Sequence, residues 1–323
     1  MRVGILGSSG LVGRQMIRCI EERQIPITEL RLFAYREVGV QIQFQNKWIT
    51  TQLATKTSLE GLDVLLIATD ANISRNYVPI AKELGIRVID NSSAFRNEAD
   101  VPLVIPQINA NDIHADHMVI ANPNCSTILA TMSIAKIHEK VGIRHMVVST
   151  YQAVSGAGKQ GVEALEQQMR VYPAKYGDNT PFAAPIVNNV IPMIGDFDGW
   201  GNTSEENKMM REMNKILHSN IDISCTCVRV PVLRSHSIAM TFWTKQPCKI
   251  EEVKTWIASL DGVCYLEDEL ATPYVASDQD DVLVCRLRQA PFDPCEYTLW
   301  CCFDQLRKGA ATNAVEILRL IME

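Results

Sequence analysis

A cysteine stands at the point where a predicted strand gives way to a predicted helix. The apolar run 117–121 predicts a short buried strand, and Asn122-Pro123-Asn124 is typical of a turn. Cys125 follows in the first turn of the helix, where the dipole and unpaired backbone N–H groups favour a thiolate. This position predicts a nucleophile, with those N–H groups and the Asn124 amide placed to hold an oxyanion. From spacing alone, an ordinary buried thiol is an equally open interpretation.

Further ionisable residues cluster in two later segments. The predicted strand and turn from Arg229 to His236 contain a histidine and two arginines, Arg229 and Arg234. A lone histidine is more often structural than catalytic, but paired with an activated cysteine it becomes a candidate acid/base. Glu205 and Lys208 lie three residues apart on a predicted helix and therefore share a face. An ordinary surface ion pair is the commoner interpretation of such a spacing.

A polar cluster, residues 90–96, follows a predicted strand of the first half. The carboxyl ends of parallel strands are where such sheets bind ligands, and Arg96 could clamp an oxyanion there through two parallel hydrogen bonds. The alternative is a surface arginine paired with Glu98 or Asp100.

The chain begins with an apolar strand, a glycine-rich turn and a helix-prone run. Gly7, Gly10 and Gly13 have the G-x-x-G-x-x-G spacing of a Rossmann-like phosphate turn, in which glycines let the backbone approach a pyrophosphate. A plain strand-to-helix turn is the alternative. After the second strand, Arg36 suits the 2′-phosphate of NADP, whereas Glu37 suits a free ribose hydroxyl; we favour NADP.

The elements that must position these residues alternate between strand and helix in the first half of the chain. This alternation predicts an α/β fold with an N-terminal Rossmann-like, doubly wound parallel sheet. A helix is expected over 74–84, and the final helix should cover one face of a sheet. The later strands predict a second, mostly antiparallel α+β domain. The predicted strands are 2–6, 30–34, 64–68, 86–89, 117–121, 146–154, 223–230 and 238–244.

Composition and charge limit the classes of protein to which this chain can belong. The 323 residues give room for about two domains, and the net charge of −6 argues against a general nucleic-acid or membrane-surface role. No apolar run is long enough to span a bilayer, and a strand begins at Val3 without a preceding signal peptide, so we expect the cytoplasm. The ten cysteines are then expected to be reduced. Their spacing does not suit zinc, and we expect no structural metal.

Several separated motifs, in this order, closely resemble the aspartate-semialdehyde dehydrogenases of the bacterial type. The resemblance covers essentially the whole chain. It rests on the turn 7–13, on Pro123-Asn124-Cys125-Ser126-Thr127, on the run 149–158, on 229–236 and on 306–311. The resemblance implies an NADP-binding domain at 1–124, completed by the C-terminal helix within 305–323, and a catalytic and dimerisation domain at 125–304. A homodimer, or a tetramer, is implied as well.

The resemblance also implies the reaction and its residues. The reaction is the reductive dephosphorylation of L-aspartyl 4-phosphate by NADPH, an early step towards lysine, threonine and methionine. Cys125 would form the acyl thioester and His236 would be the acid/base. The implied substrate-binding residues are Gln152, Asn124, Glu205 for the ammonium, Arg229 for the α-carboxylate, and Arg96 with Lys208 for the phosphate. The implied cofactor-binding residues are Gly7, Ser9, Gly10, Leu11, Val12, Arg36, Ser155, Gly156 and Gln305.

Three segments depart from the family pattern. Glu37-Val38-Gly39 replaces the common Ser-Ala-Gly after Arg36, Asp70 to Ile73 replaces a small-residue loop near the cofactor, and Gln305 stands where many members have asparagine. One rival is another acyl-phosphate reductase such as N-acetyl-γ-glutamyl-phosphate reductase, against which Glu205 argues because an acetylated amine needs no anion. The other is a catalytically inactive binding paralogue.

Overall fold

A computed structural model describes residues 1–35, 38–171 and 180–322 of the chain. Strands and helices alternate through its first half, as the sequence pattern predicts. The strands are β1 Arg2–Leu6, β2 Glu29–Ala34, β3 Gln41–Phe44, β4 Lys47–Thr50, β5 Gln52–Leu53, β6 Val64–Ile67, β7 Arg87–Asp90, β8 Val119–Ala121, β9 Ile143–Gln152, β10 Asp222–Arg229, β11 His236–Thr244, β12 Val263–Leu266, β13 Val282–Gln289 and β14 Glu296–Phe303.

The helices range from single turns to the seventeen residues of the central helix, α5. They are α1 Leu11–Glu22, α2 Lys56–Leu59, α3 Ala71–Glu83, α4 Pro106–Asn109, α5 Cys125–Val141, α6 Gly158–Arg170, α7 Ser204–Ile216, α8 Ile250–Ala258, α9 Pro273–Ala276 and α10 Thr312–Leu320. A 3₁₀ turn occupies Val154–Ala157, and a π-helical turn occupies Arg307–Ala311. Among the described residues, no helix has the length and apolarity that crossing a membrane requires.

Every strand predicted from the sequence is present; the first has the predicted ends, and the others differ by one to three residues at one or both ends. The strand predicted over 117–121 contracts to Val119–Ala121. The one predicted over 146–154 instead runs from Ile143 to Gln152, because the chain turns into the 3₁₀ segment at Val154. The hairpin of β3 and β4 carried no recognised signal.

The chain divides into two compact units, Met1–Asn124 with Ala310–Glu323, and Cys125–Gly309. The first unit contains a parallel sheet in the order β5-β2-β1-β6-β7-β8. This is the order of a dinucleotide-binding sheet, and the order of strands reverses beside β1, where the glycine turn follows. Helix α10 packs against α1 and β7, and its apolar residues Ala314, Val315, Ile317 and Leu318 are buried in that core.

The second unit contains a sheet in the order β10-β9-β11-β14-β13-β12. The three central pairings are antiparallel, as expected, but both edge strands, β10 and β12, run parallel to their neighbours. The sheet is therefore mixed. Helices α5, α7 and α8 pack on one of its faces. All ten cysteines of the chain are free thiols.

Candidate active site

Cys125 is the first residue of α5, where the sequence predicts the helix to begin. The helix is largely buried, with apolar residues on most of its surface, whereas Cys125 itself is half-buried. Gly309 approaches closely, because a β-carbon added there would lie 3.0 Å from the Cys125 β-carbon. Packing and the helix terminus thus hold this thiol at one place.

Polar side chains from the ends of three neighbouring strands lie together at one end of the second sheet. Gln152 ends β9, Arg229 ends β10 directly opposite it, and His236 begins β11. All three side chains are buried. The register of neighbouring strands, not their separation in sequence, brings these side chains together.

The imidazole of His236 is fully buried, and one of its two nitrogens has a hydrogen-bond partner. Its Nδ1 accepts the backbone N–H of Ala153 at 3.0 Å, which assigns the proton of the neutral ring to Nε2. Nε2 has no hydrogen-bond partner within the described residues. Burial, and then the positive charge of Arg229, hold the pKa of His236 well below its ordinary value. The ring is therefore neutral at pH 7 and presents a donor to a ligand.

Arg229 is buried and charged beside the histidine. Its Nη1 donates to the backbone oxygen of Ala153 at 2.7 Å, and its guanidinium carbon lies 5.8 Å from the centre of the Phe182 ring. Burial lowers the pKa of Arg229, while the Glu205 carboxylate, and the Cys125 thiol when it is ionised, oppose that shift. Cys125 and Glu205 are therefore close enough to act on the same guanidinium.

Glu205 and Lys208 form an ion pair of 3.2 Å, but it is not an ordinary surface pair. Glu205 is 5% exposed at the start of α7, and its other carboxylate oxygen accepts from the Gln152 amide at 3.2 Å. The same amide lies 3.3 Å from the Thr150 hydroxyl. A buried carboxylate and a glutamine thus face the arginine and histidine.

Gln305 fixes the loop after β9. Its amide nitrogen donates to the Ser155 hydroxyl at 2.5 Å, and its oxygen accepts the backbone N–H of Ser235 at 2.7 Å. Ser235 has a φ of +74°, a conformation that non-glycine residues rarely adopt. The buried glutamine therefore holds Ser155 next to the strained turn that leads into His236.

Gly156 packs directly against the side chains of Arg229 and His236. A β-carbon added there would lie 2.7 Å from Arg229 Nη1 and 3.1 Å from two atoms of the His236 ring. We expect Gly156→Ala to fold but to displace both side chains and to lower kcat about 100-fold, the effect of a roughly 1 Å misplacement. Steady-state kinetics would measure it. Gly199→Ala, where an added β-carbon meets no atom within 4 Å, is the control. Equal activity of the two variants would contradict this packing.

The first unit holds the glycine turn between β1 and α1. Gly7 has a φ of +86°, and a β-carbon on Gly13 would lie 2.2 Å from the Gly7 oxygen, so neither position accepts a side chain. Gly10 caps α1 without a side-chain hydrogen bond, and the first turn contains no acidic residue. Ser9, Leu11 and Val12 are half-buried beside it. This terminus is open to an anion and fits the pyrophosphate of a dinucleotide.

Arg96 is 7% exposed, so the surface-arginine interpretation is wrong. Its guanidinium donates to the backbone oxygens of Asn122, at 2.9 Å, and Asn91, at 2.7 Å. Asn124 is buried at the end of the same unit. Their substrate roles stay predictions. Arg36, predicted to bind the 2′-phosphate, lies outside the described residues, as does Glu37.

Sequence reasoning missed the groups that orient the predicted residues. The backbone of Ala153 bonds both His236 and Arg229, and Phe182 flanks the guanidinium. Thr150 supports Gln152. A backbone amide gives no signal in the sequence. These contacts could have been predicted only if the register of the strands had been known. In the departing segment 70–73, the Asp70 side chain caps α3 by accepting from the N–H groups of Asn72 and Ile73.

Comparison with known proteins identifies close relatives. Residues 2–116 match the model described as semialdehyde dehydrogenase, NAD binding domain, and residues 134–308 match semialdehyde dehydrogenase, dimerisation domain. The aspartate-semialdehyde dehydrogenase of Aquifex aeolicus is 39% identical over 336 aligned residues, covering 100% of this chain and 98% of the relative. Aspartate-semialdehyde dehydrogenase 2 of Vibrio cholerae is 37% identical, covering 99% and 97%.

A crystal structure shows the same fold. It is that of aspartate semialdehyde dehydrogenase II from Vibrio cholerae complexed with ASA. This structure superposes with a TM-score of 0.94 at 36% identity, covering 99% of this chain and 98% of the other.

Proposed function

Because this chain belongs to the semialdehyde dehydrogenase family, we propose that it converts L-aspartyl 4-phosphate to L-aspartate 4-semialdehyde and phosphate with NADPH. The observation that carries the proposal is the buried group of Gln152, Glu205, Arg229 and His236 beside the Cys125 helix. A buried carboxylate and a buried guanidinium at one site suit a substrate that carries both an ammonium and a carboxylate.

The charges of the substrate match those of the proposed site. Arg229 would bind the α-carboxylate, and Glu205 would bind the ammonium. Since Lys208 is the more exposed member of its ion pair with Glu205, we propose that the substrate ammonium takes its place and frees Lys208 to bind phosphate. Arg96 keeps its predicted phosphate role, and Gln152 would orient the acyl group.

The proposed chemistry begins with Cys125. Its thiolate attacks the acyl carbon, the bond from that carbon to the phosphate oxygen breaks, phosphate leaves, and an acyl thioester forms on the protein. The N–H groups at the start of α5 and the Asn124 amide would hold the oxyanion during attack. His236 would serve as the acid/base. Because Nδ1 accepts the Ala153 N–H and Nε2 carries the ring proton, His236 would act on the substrate through Nε2, by donating a hydrogen bond or that proton.

NADP(H) is the proposed cofactor. The glycine turn would hold its pyrophosphate through the backbone of Gly7 and Ser9 to Val12, and Arg36 would bind the 2′-phosphate. Ser155 and Gly156 would lie near the nicotinamide, with Gln305 closing the pocket. When bound, the cofactor supplies the hydride that reduces the thioester to the aldehyde.

The two rival functions make different demands on these residues. An N-acetylated substrate has no ammonium and would leave the buried Glu205 without a substrate cation. An inactive paralogue would need neither the uncommon buried Arg229 nor a histidine nitrogen left for a ligand. Both features favour the proposed reaction.

A phosphate-dependent oxidation assay tests substrate and coenzyme together. Aspartate semialdehyde and N-acetylglutamate semialdehyde are each incubated with phosphate and either NADP or NAD, and formation of the reduced coenzyme is followed by absorbance. We expect turnover that requires phosphate and is fastest with aspartate semialdehyde and NADP. Preference for the acetylated aldehyde would support the rival reductase, and no turnover with either would support the inactive paralogue.

A homodimer through the second unit is the proposed assembly. The face of its sheet opposite the helices carries Val147 and Tyr151, which are 40% and 37% exposed. Trp300 lies against Tyr151, with ring centres 5.3 Å apart, and Trp243 lies on the neighbouring strand. Contiguous apolar and aromatic groups on a surface indicate an interaction site. The proposed compartment is the cytoplasm.

A further inference from the structure

Three sulfur atoms meet beside the edge strand of the second unit. Cys225 and Cys227 lie two residues apart on β10 and therefore point to the same side of the sheet, towards Met209 of α7. The Cys225 and Cys227 sulfurs are 3.7 Å apart, and they lie 3.5 Å and 3.8 Å, respectively, from the Met209 sulfur. The three atoms form a nearly equilateral triangle.

The size of this triangle suits a metal ion better than a disulfide. A point equidistant from all three sulfurs would lie about 2.1 Å from each, since that is the circumradius of a triangle with these sides. Metal–thiolate bonds are close to this length, about 2.3 Å for zinc. A disulfide requires a sulfur separation of about 2.05 Å, so a bond between Cys225 and Cys227 would distort β10, the strand that carries Arg229.

The ligand chemistry selects the metal. Two thiolates and a thioether are soft donors and favour Cu(I), whereas zinc prefers four ligands drawn from thiolate, imidazole and carboxylate. We propose that Cys225, Cys227 and Met209 form a three-coordinate site for a soft monovalent cation, Cu(I). Binding replaces two thiol protons with one cation and releases two protons, with no change in oxidation state.

Access and rigidity are both provided by the fold. Cys225 is half-buried on an edge strand and offers a point of entry, whereas Cys227 and Met209 are fully buried. The backbone N–H of Cys227 donates to Glu206 at 2.9 Å, and Glu206 also takes part in the capping box at the start of α7. Strand and helix are thereby fixed to each other, which holds the three sulfurs in place.

The site connects to the proposed active site through Thr150. Thr150 lies opposite Cys227 on the neighbouring strand β9, and its hydroxyl accepts from the Gln152 amide at 3.3 Å; the same amide donates to Glu205. A cation bound to the Cys227 sulfur would therefore lie beside the residue that supports Gln152. Bound Cu(I) would therefore shift Gln152 and lower turnover. This consequence rests on the proposed function, whereas metal binding itself does not.

Anaerobic competition with a chromogenic Cu(I) chelator tests the site. The full chain with Cys125→Ala serves as parent, so that the proposed nucleophile does not bind the metal. We expect the parent to bind one Cu(I) that Cys225→Ser loses. We expect Met209→Leu to weaken binding by at least about 10-fold, the lower end of what losing a supporting group costs. Cys264→Ser, which removes another half-buried strand thiol, should leave binding unchanged.

X-ray absorption and turnover complete the test. The parent's metal should show three sulfur neighbours at about 2.1 to 2.3 Å. In the chain that retains Cys125, one equivalent of Cu(I) should lower turnover, and Cys225→Ser should protect against that loss. Equal Cu(I) binding by the parent and by Cys225→Ser would overturn the proposal, as would equal inhibition with and without Cys225.

Discussion

Replacing Cys125 with alanine is expected to lower turnover by roughly 10⁴-fold or more while leaving NADPH binding intact, since removal of a catalytic nucleophile has effects of this size. The sulfur forms the bond that carries the acyl group. The glycine turn proposed to bind the cofactor belongs to the other compact unit, so the substitution removes no atom from it. Turnover is measured in the phosphate-dependent assay, and NADPH binding by the change in nicotinamide fluorescence.

The matched control is Cys295→Ala, which also removes a half-buried thiol. It should retain most of the activity, so that the loss in Cys125→Ala is not a general effect of deleting a sulfur. Retention of more than a few per cent of the activity in Cys125→Ala would exclude a thioester mechanism. Loss of NADPH binding together with turnover would contradict the proposed division of roles.

The sequence predicted correctly those features whose conformation is determined by residues close together in the chain. The start of α5 at Cys125 follows from turn residues between an apolar strand and an apolar helix, and the glycine turn follows from the close approach at Gly13. Both depend on backbone conformation over a few residues. Strand alternation likewise predicted the parallel sheet of the first unit.

Contacts between distant segments could not be predicted in the same way. The spacing of Glu205 and Lys208 is identical in a surface pair and in a buried one; the burial of the carboxylate, which accepts from Gln152, depends on tertiary packing. The parallel pairing of β10 was missed because a half-exposed strand alternates in the same way whether its partner is parallel or antiparallel. That pairing decides that Arg229 lies opposite Gln152.

Substitution of His236 should have the second-largest effect on turnover. Loss of a general acid/base costs about 10²- to 10⁴-fold, and we expect His236→Ala to fall in this range. His236→Gln is the informative partner, because an amide can donate a hydrogen bond at Nε2 but cannot transfer a proton. If Nε2 acts chiefly by donating a hydrogen bond, the glutamine variant retains much more activity than the alanine variant. If it transfers a proton, the two variants are equally impaired.

The buried histidine should also make stability depend on pH in a defined direction. Burial and Arg229 hold its pKa in the folded protein well below the ordinary value of about 6.5 that it regains on unfolding. Between these two values the unfolded chain binds a proton that the folded chain does not. The free energy of unfolding therefore contains a contribution that is complete above pH 6.5 and is lost as the pH falls towards the folded pKa.

Urea unfolding of the native chain and of His236→Gln, measured at several pH values from 7.5 to 5, would isolate this contribution. Other groups that titrate over the range are common to both proteins, so the difference between their unfolding free energies reports on His236. We expect the native chain to lose more stability than the variant as the pH is lowered. A difference that does not change with pH would mean that the imidazole is not held neutral by burial. The assignment of the proton to Nε2, and the choice between donor and acid that depends on it, would then have to be withdrawn.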